Sequence, residues 1–167
     1  MKMKSMIYTA LLSLGLMACS TGKSEKSTAQ ETSAVEEKVA QEASSTIDAY
    51  MELKDALVQT DATVAQSAAE KLSAAMSTEE MDATLIEAAN NITSSEDVKE
   101  QRVQFKVVTD GLIASLKSNE STDGVYVQYC PMAFDNTGAS WLSVSEEIRN
   151  PYFGDKMLKC GKVTEEL

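Results

Sequence analysis

From Ile47 to Leu116 the apolar residues recur at the spacing of an α-helix, and only short polar junctions interrupt them. That pattern confines the segment to packed helices. Ile47, Tyr50, Met51, Leu57 and Val58 fall on one helical face, and Val64, Ala65, Ala68, Leu72, Ala75 and Met76 form a second after Asp61, an N-cap residue. Ser77, with Glu80 three residues on, has the form of a capping box and predicts a third helix carrying Met81, Leu85, Ala88, Ala89 and Ile92 inward. The fourth and longest helix is expected to begin near Ser94 or Ser95 and to bury Val98, Phe105, Val108, Leu112 and Leu116. The junctions Thr60-Asp61, Ser77-Thr78 and Thr93-Ser94 are short, which favours antiparallel neighbours and an up-and-down four-helix bundle. Alanine is frequent on the inward faces, so the helices should pack closely.

Beyond Asn119 alanine leaves the pattern, and Gly, Pro, aromatic residues and cysteines appear. Val125 to Cys130 is β-branched and aromatic and reads as a short strand after the Asp123-Gly124 turn. Pro131 ends it. Asn136-Thr137-Gly138 is a second turn, Ser143 or Ser145 is a candidate cap for a short helical turn, and Asn150-Pro151 with Gly154 marks an irregular stretch before Lys156 to Gly161. The fold expected for 46–167 is mainly α: an up-and-down four-helix bundle with a C-terminal Cys-containing segment (119–163) that includes one or two short strands. Its length suits one domain with one core.

Ahead of this domain, Lys2 and Lys4 precede an apolar run from Met6 to Met17, and the small residue Ala18 precedes Cys19. This is the layout of a signal peptide over 1–18. The run of about 12 residues is short of the roughly 20 that span a bilayer. Leu16-Met17-Ala18-Cys19 looks like a lipobox, in which the Cys19 thiol receives diacylglycerol and becomes the new N-terminus. The alternative is an ordinary signal peptide that happens to contain a cysteine. Ser20 resembles the outer-membrane sorting pattern of two-membrane bacteria, so a lipid-anchored protein facing the periplasm is expected. From Ser20 to Ser45 the chain has just two valines, no aromatic residue and no proline, a composition that cannot offset its ordering entropy and reads as a disordered tether (19–45 with the lipidated cysteine). Loss of Lys2 and Lys4 leaves 13 basic against 26 acidic residues, a net −13. Such a chain lacks the basic patch that nucleic acid requires, and lipid rather than charge must hold it at a membrane.

With Cys19 committed to lipid, Cys130 and Cys160 are the two remaining thiols, and each has a methionine close by. Cys130 and Met132 would share a side of an extended backbone, and Met157 and Cys160 neighbour each other on a helical turn. Two thiolates and two thioethers are soft ligands of the kind Cu(I) and Ag(I) prefer. The alternative is a Cys130–Cys160 disulfide, normal in an oxidising compartment. Closing a 31-residue loop would stabilise the fold by roughly 3 to 4 kcal/mol. Phe134, Trp141, Tyr152 and Phe153 form either an exposed interaction surface or packing against the bundle. Met51, Met76 and Met81 sit at helical core positions. Glu79-Glu80, Glu146-Glu147 and Glu165-Glu166 are adjacent carboxylates that point apart on a helix. The chain has no histidine, so Ser-His-Asp and Cys-His arrangements are ruled out, and no phosphate-binding glycine motif is present. The expected class is binding rather than catalysis.

Tyr129-Cys130-Pro131-Met132-Ala133, Gly138-Ala139-x-Trp141-Leu142-Ser143 and Ile148 through Gly161 together resemble the C-terminal signature of the bacterial family called domain of unknown function 3347, and Tyr50 to Leu57 is similar to its opening helix. The resemblance covers Thr46 to about Val163. It implies lipoproteins or the tail of periplasmic adaptor subunits of copper and silver efflux pumps, hence metal handling with efflux components as partners. Without histidine, any such site must be built from sulfur. The leading expectation is soft-metal binding by Cys130, Met132, Met157 and Cys160 in heavy-metal efflux or resistance. The rival is a disulfide-stabilised protein-interaction module of the cell envelope.

Overall fold

The computed structural model describes residues 46–118 and 124–167. The signal peptide, Cys19 and the tether read from the sequence lie outside the described residues. Residues 46–59 form α1, followed by α2 (Ala62–Thr78), α3 (Ala83–Ser94) and α4 (Val98–Ser118). Side-chain contacts fix their directions. Thr46 at the start of α1 donates to Glu79 just past α2 (2.7 Å), and Lys71 pairs with Glu52. Ser73 on α2 donates to Asn90 on α3 (2.7 Å). Tyr50 meets Thr109 on α4, while Arg102, one end earlier on α4, reaches Leu57 O. Each helix is thus antiparallel to the next and α4 returns beside α1, an up-and-down four-helix bundle.

Leu53, Leu57, Leu72, Met76, Ile92, Phe105 and Leu112 fill the interior, with Ala65, Ala68, Ala69, Ala88 and Ala89 at the close approaches. Val64, expected inward, is half exposed: it lies in the first turn of α2, where the Asp61 carboxylate takes its N–H. Two predicted helix starts move. Ser77 and Thr78 finish α2 and bond back to Ser73 O and Ala74 O, Glu80 turns left-handed at φ 53°, and Asp82 is the N-cap of α3, accepting from Thr84 N–H. Asp captures a backbone N–H at a helix start as well as Ser does, and it lies beyond the turn. Likewise Ser94 ends α3, and Asp97 opens α4 by accepting from Lys99 N–H and Gln101 N–H.

The C-terminal part is a three-stranded antiparallel sheet, one strand richer than the upper expectation, in the order β2 (Ala139–Ser143), β1 (Tyr126–Cys130), β3 (Lys162–Glu166). The expected cap at Ser143 or Ser145 starts no helix. Ser143 closes β2, and its hydroxyl accepts from Ser145 N–H in a tight local turn; a 3₁₀ turn follows later, at Gly154–Met157. β2 packs on α4. The Tyr50 hydroxyl accepts from Leu142 N–H of β2 (3.1 Å) while bonded to Thr109, so one α1 phenol joins helix and sheet. Burial pushes that phenol's pKa up, which keeps it protonated and neutral. Phe105 stacks on Tyr50 at 5.1 Å and meets Tyr152 at 5.8 Å. No helix among the described residues is long and apolar enough to cross a membrane.

Candidate functional site

Cys130 is the last residue of β1 and is fully buried. Tyr129 pairs with Lys162 of β3, so the chain that enters β3 passes Cys130 at residues 160 and 161. The two sulfurs lie 2.8 Å apart, closer than unbonded sulfurs ordinarily approach, with Cys160 the more exposed. The Cys160 thiol is pushed up to about 11 by its hydrogen bond to Cys130, by desolvation and by the charge of Cys130; the Met132 N–H opposes the shift. In the reduced state Cys160 therefore keeps its proton at neutral pH. A soft cation must displace it, and its affinity should rise with pH.

Met132 departs from the extended geometry expected of it. Pro131 has no N–H to continue the ladder, Met132 turns to φ −93°, ψ −8°, and its side chain is 46% exposed while that of Cys130 is buried. Its link to the pair is through its backbone N–H, which bonds the Cys160 sulfur. Met157 closes the 3₁₀ turn, and its carbonyl accepts from Cys160 N–H (3.0 Å), so these two are one turn apart, as the spacing required. The structure thus gathers both thiols and both methionine backbones at one corner of the sheet. Among the described residues no group of three or more His, Cys, Asp or Glu could hold a metal ion; a cation bound here would rely on sulfur alone.

Three residues that sequence reading left unassigned hold the Cys160 loop in place. Asn150 is fully buried; its amide donates to Cys160 O (2.7 Å) and its carbonyl accepts from Tyr152 N–H (2.8 Å). The second contact is an Asx turn that Asn-Pro hints at; the first spans ten residues and leaves no trace in sequence. Gln128, in the middle of β1, donates to Ser145 O (2.8 Å). Arg102 donates to Pro151 O (2.7 Å) and Leu57 O (2.9 Å), tying the loop to the end of α1. Gly161, at φ 146°, brings the loop down on Trp141: a Cβ there would sit 2.7 Å from the indole. Asn150→Ala removes partners from two buried backbone groups and should destabilise the protein by about 2–4 kcal/mol in urea unfolding. A change below about 0.5 kcal/mol would mean that the loop is held by other contacts.

Phe134, Asp135 and Asn136 all have left-handed backbones (φ 49°, 56° and 68°) in the connection from β1 to β2. This costs about 1–2 kcal/mol per residue. Gly138 N–H to Ala133 O (2.9 Å) and Thr137 N–H to Phe134 O (3.1 Å) lock the turn, and the Phe134 ring meets Tyr152 edge-on at 5.2 Å. Trp141 and Tyr152 are buried, and Phe134 and Phe153 are half-buried against the core. The four aromatic residues therefore pack the loop onto the bundle and do not make an exposed interaction surface; their apolar area is already spent on the core.

Fold and site together define an α-helical bundle domain with an appended sheet that carries a vicinal thiol pair. The model of the family described as Protein of unknown function (DUF3347) matches residues 46–124 of the chain. The match takes in the bundle and ends before β1, so the sulfur corner lies beyond it. No curated protein and no solved structure matches the chain.

Proposed function

We propose that the protein is anchored through lipid on Cys19 in the cell envelope, on the periplasmic side of the outer membrane, and takes up Cu(I) or Ag(I) as an accessory of heavy-metal efflux or resistance. The observation that carries the metal reading is the convergence of Cys130 and Cys160, with Met132 and Met157 bound to Cys160 through their backbones. The thiols would hold the ion, and the thioethers, one of them exposed, would guard its exchange. Soft monovalent ions accept so small a set of sulfur ligands, whereas hard cations require oxygen. The protein binds and does not catalyse; its partners are efflux components, and its acidity keeps it off nucleic acid.

The touching sulfurs favour a second reading, in which Cys130 and Cys160 are oxidised and the domain is a disulfide-stabilised interaction module of the envelope. A thiol count on protein isolated from the envelope without reductant separates the two. Two titratable thiols, followed by one Cu(I) taken up more tightly than about micromolar, support metal handling. No thiols, and no uptake after mild reduction, support the module. The anchor is tested by Cys19→Ala, which should release the protein from the membrane fraction; retention there sinks that part of the reading.

A further inference from the structure

Cys130 and Cys160 touch, yet they differ in access. Cys130 closes β1 with no exposed surface, opposite the buried Ala139 of β2, whereas Cys160 is partly open to solvent. Cys160 is also fixed in place: its N–H donates to Met157 O (3.0 Å), and its carbonyl accepts from the Asn150 amide (2.7 Å). A thiolate that breaks a disulfide bonds to one sulfur, in line with the S–S bond, and expels the other. Approach from solvent along that line meets Cys160 first, and the sulfur expelled is that of Cys130. Lys156, Lys159 and Lys162 flank Cys160 in sequence and are exposed, Lys159 being paired with Glu147, in a chain of net charge −11. Positive charge beside the entry draws in an anionic thiolate.

We infer that the pair is a thiol–disulfide exchange site entered at Cys160, and that the partner it fits is a protein dithiol. The inference rests on the oxidised pair of the second reading, and its reduced product is the pair of thiols that the metal reading requires. In the first step a partner thiolate bonds to Cys160 Sγ and the bond between Cys160 and Cys130 breaks. Its electron pair goes to Cys130 Sγ, which takes up a proton. In the second step the partner's other thiol attacks the partner sulfur of the mixed disulfide, and Cys160 leaves with the electron pair and gains a second proton. Two electrons and two protons have then passed to this chain, and the partner carries a new disulfide. A single thiol is turned back. Because both backbone groups of Cys160 are tied, Cys130 stays at contact distance (2.8 Å) and returns to the mixed disulfide. Attack within one molecule has an effective concentration well above that of a free thiol. Only a second thiol joined to the first competes with it, which selects a dithiol.

The test follows the sulfurs of the full chain in neutral detergent, by acid quench, alkylation and peptide mapping. Treatment with oxidised glutathione should first remove both free thiols of the pair; thiols that stay free sink the disulfide reading, and the inference with it. With the disulfide formed, thioredoxin serves as the probe dithiol and should reduce the pair in the folded chain. Thioredoxin whose second cysteine is replaced by serine should give less than about one hundredth of that reduction, and the adduct caught by the quench should map to Cys160. As a second measurement, oxidised glutathione should cap Cys160 in Cys130→Ser about 100-fold faster than it caps Cys130 in Cys160→Ser, because access sets the rate. An adduct on Cys130, equal reduction by the two thioredoxins, or a disulfide that thioredoxin reduces only after denaturation would each overturn the proposal while leaving the disulfide itself established. The wild-type measurements decide if either variant fails to fold.

Discussion

Cys130→Ser is expected to weaken Cu(I) binding by more than about 100-fold, since even loss of an outer-shell partner of a metal ligand typically costs 10- to 100-fold. Serine nearly matches cysteine in volume, and Cys130 is fully enclosed at the end of β1, so the substitution removes a soft donor while leaving the sheet in place. Cys160→Ser should act alike, because neither thiol has a substitute among the residues around it. Met132→Leu should do less. Met132 is far more open to solvent than Cys130, and its backbone N–H, which bonds Cys160, survives the change. Competition against a chromophoric Cu(I) chelator measures all three. The pH dependence is a further check: the raised Cys160 thiol must lose its proton to the ion, so the apparent affinity should climb between pH 6 and 9 at roughly tenfold per unit for each proton released. Undiminished binding by Cys130→Ser would remove the metal from this corner.

Phe105→Ala should lower stability by about 3–5 kcal/mol, the range for a large aromatic removed from a core. Phe105 is wholly buried between Tyr50 of α1 and Tyr152 of the long loop. No neighbour can collapse into its place without giving up a bond: Tyr50 is held by Thr109 and Leu142, Tyr152 by Ser140 O (2.5 Å). For a domain of this size the melting temperature should fall by on the order of 10–15 °C. The effect should also reach the thiols, because Tyr152 follows directly on the Asn150-Pro151 turn that positions Cys160. Faster alkylation of Cys160 in Phe105→Ala than in wild type would show that coupling. Equal rates would mean that the loop stands without its aromatic footing.

The bundle was legible because Leu72, Ile92, Phe105 and Leu112 repeat at helical spacing and need only a matching face to be buried. The boundaries were less so: Ser77-Glu80 and Ser94-Ser95 have cap composition, but Asp82 and Asp97 compete for the same role and win by lying past the turn. β1 was visible as a β-branched run. β2 was obscured, because Ala139 and Ser140 carry no strand preference and Trp141-Leu142 is too short for a period to show. β3 is an exposed edge whose Glu165-Glu166 looks like any solvated surface. At the site, the pair Cys130 and Cys160 was named from residue type, and the corner that unites them depends on Asn150, Gln128 and Arg102. Those contacts cross ten to fifty positions and have no local signature. Met132 was misplaced because alternation was carried one residue too far, through a proline.

The strand order β2-β1-β3 also sets a timetable. The central strand is made first of the three, its hairpin partner follows within about a dozen residues, and the other neighbour arrives only after the whole loop from Val144 to Gly161. A growing chain can assemble helices and hairpin in sequence, as domains commonly do from the N-terminal side, but Cys130 must wait for a partner made thirty residues later. The sulfur pair is therefore a late mark of completion: an interrupted chain can hold a nearly finished bundle and still carry one solitary thiol.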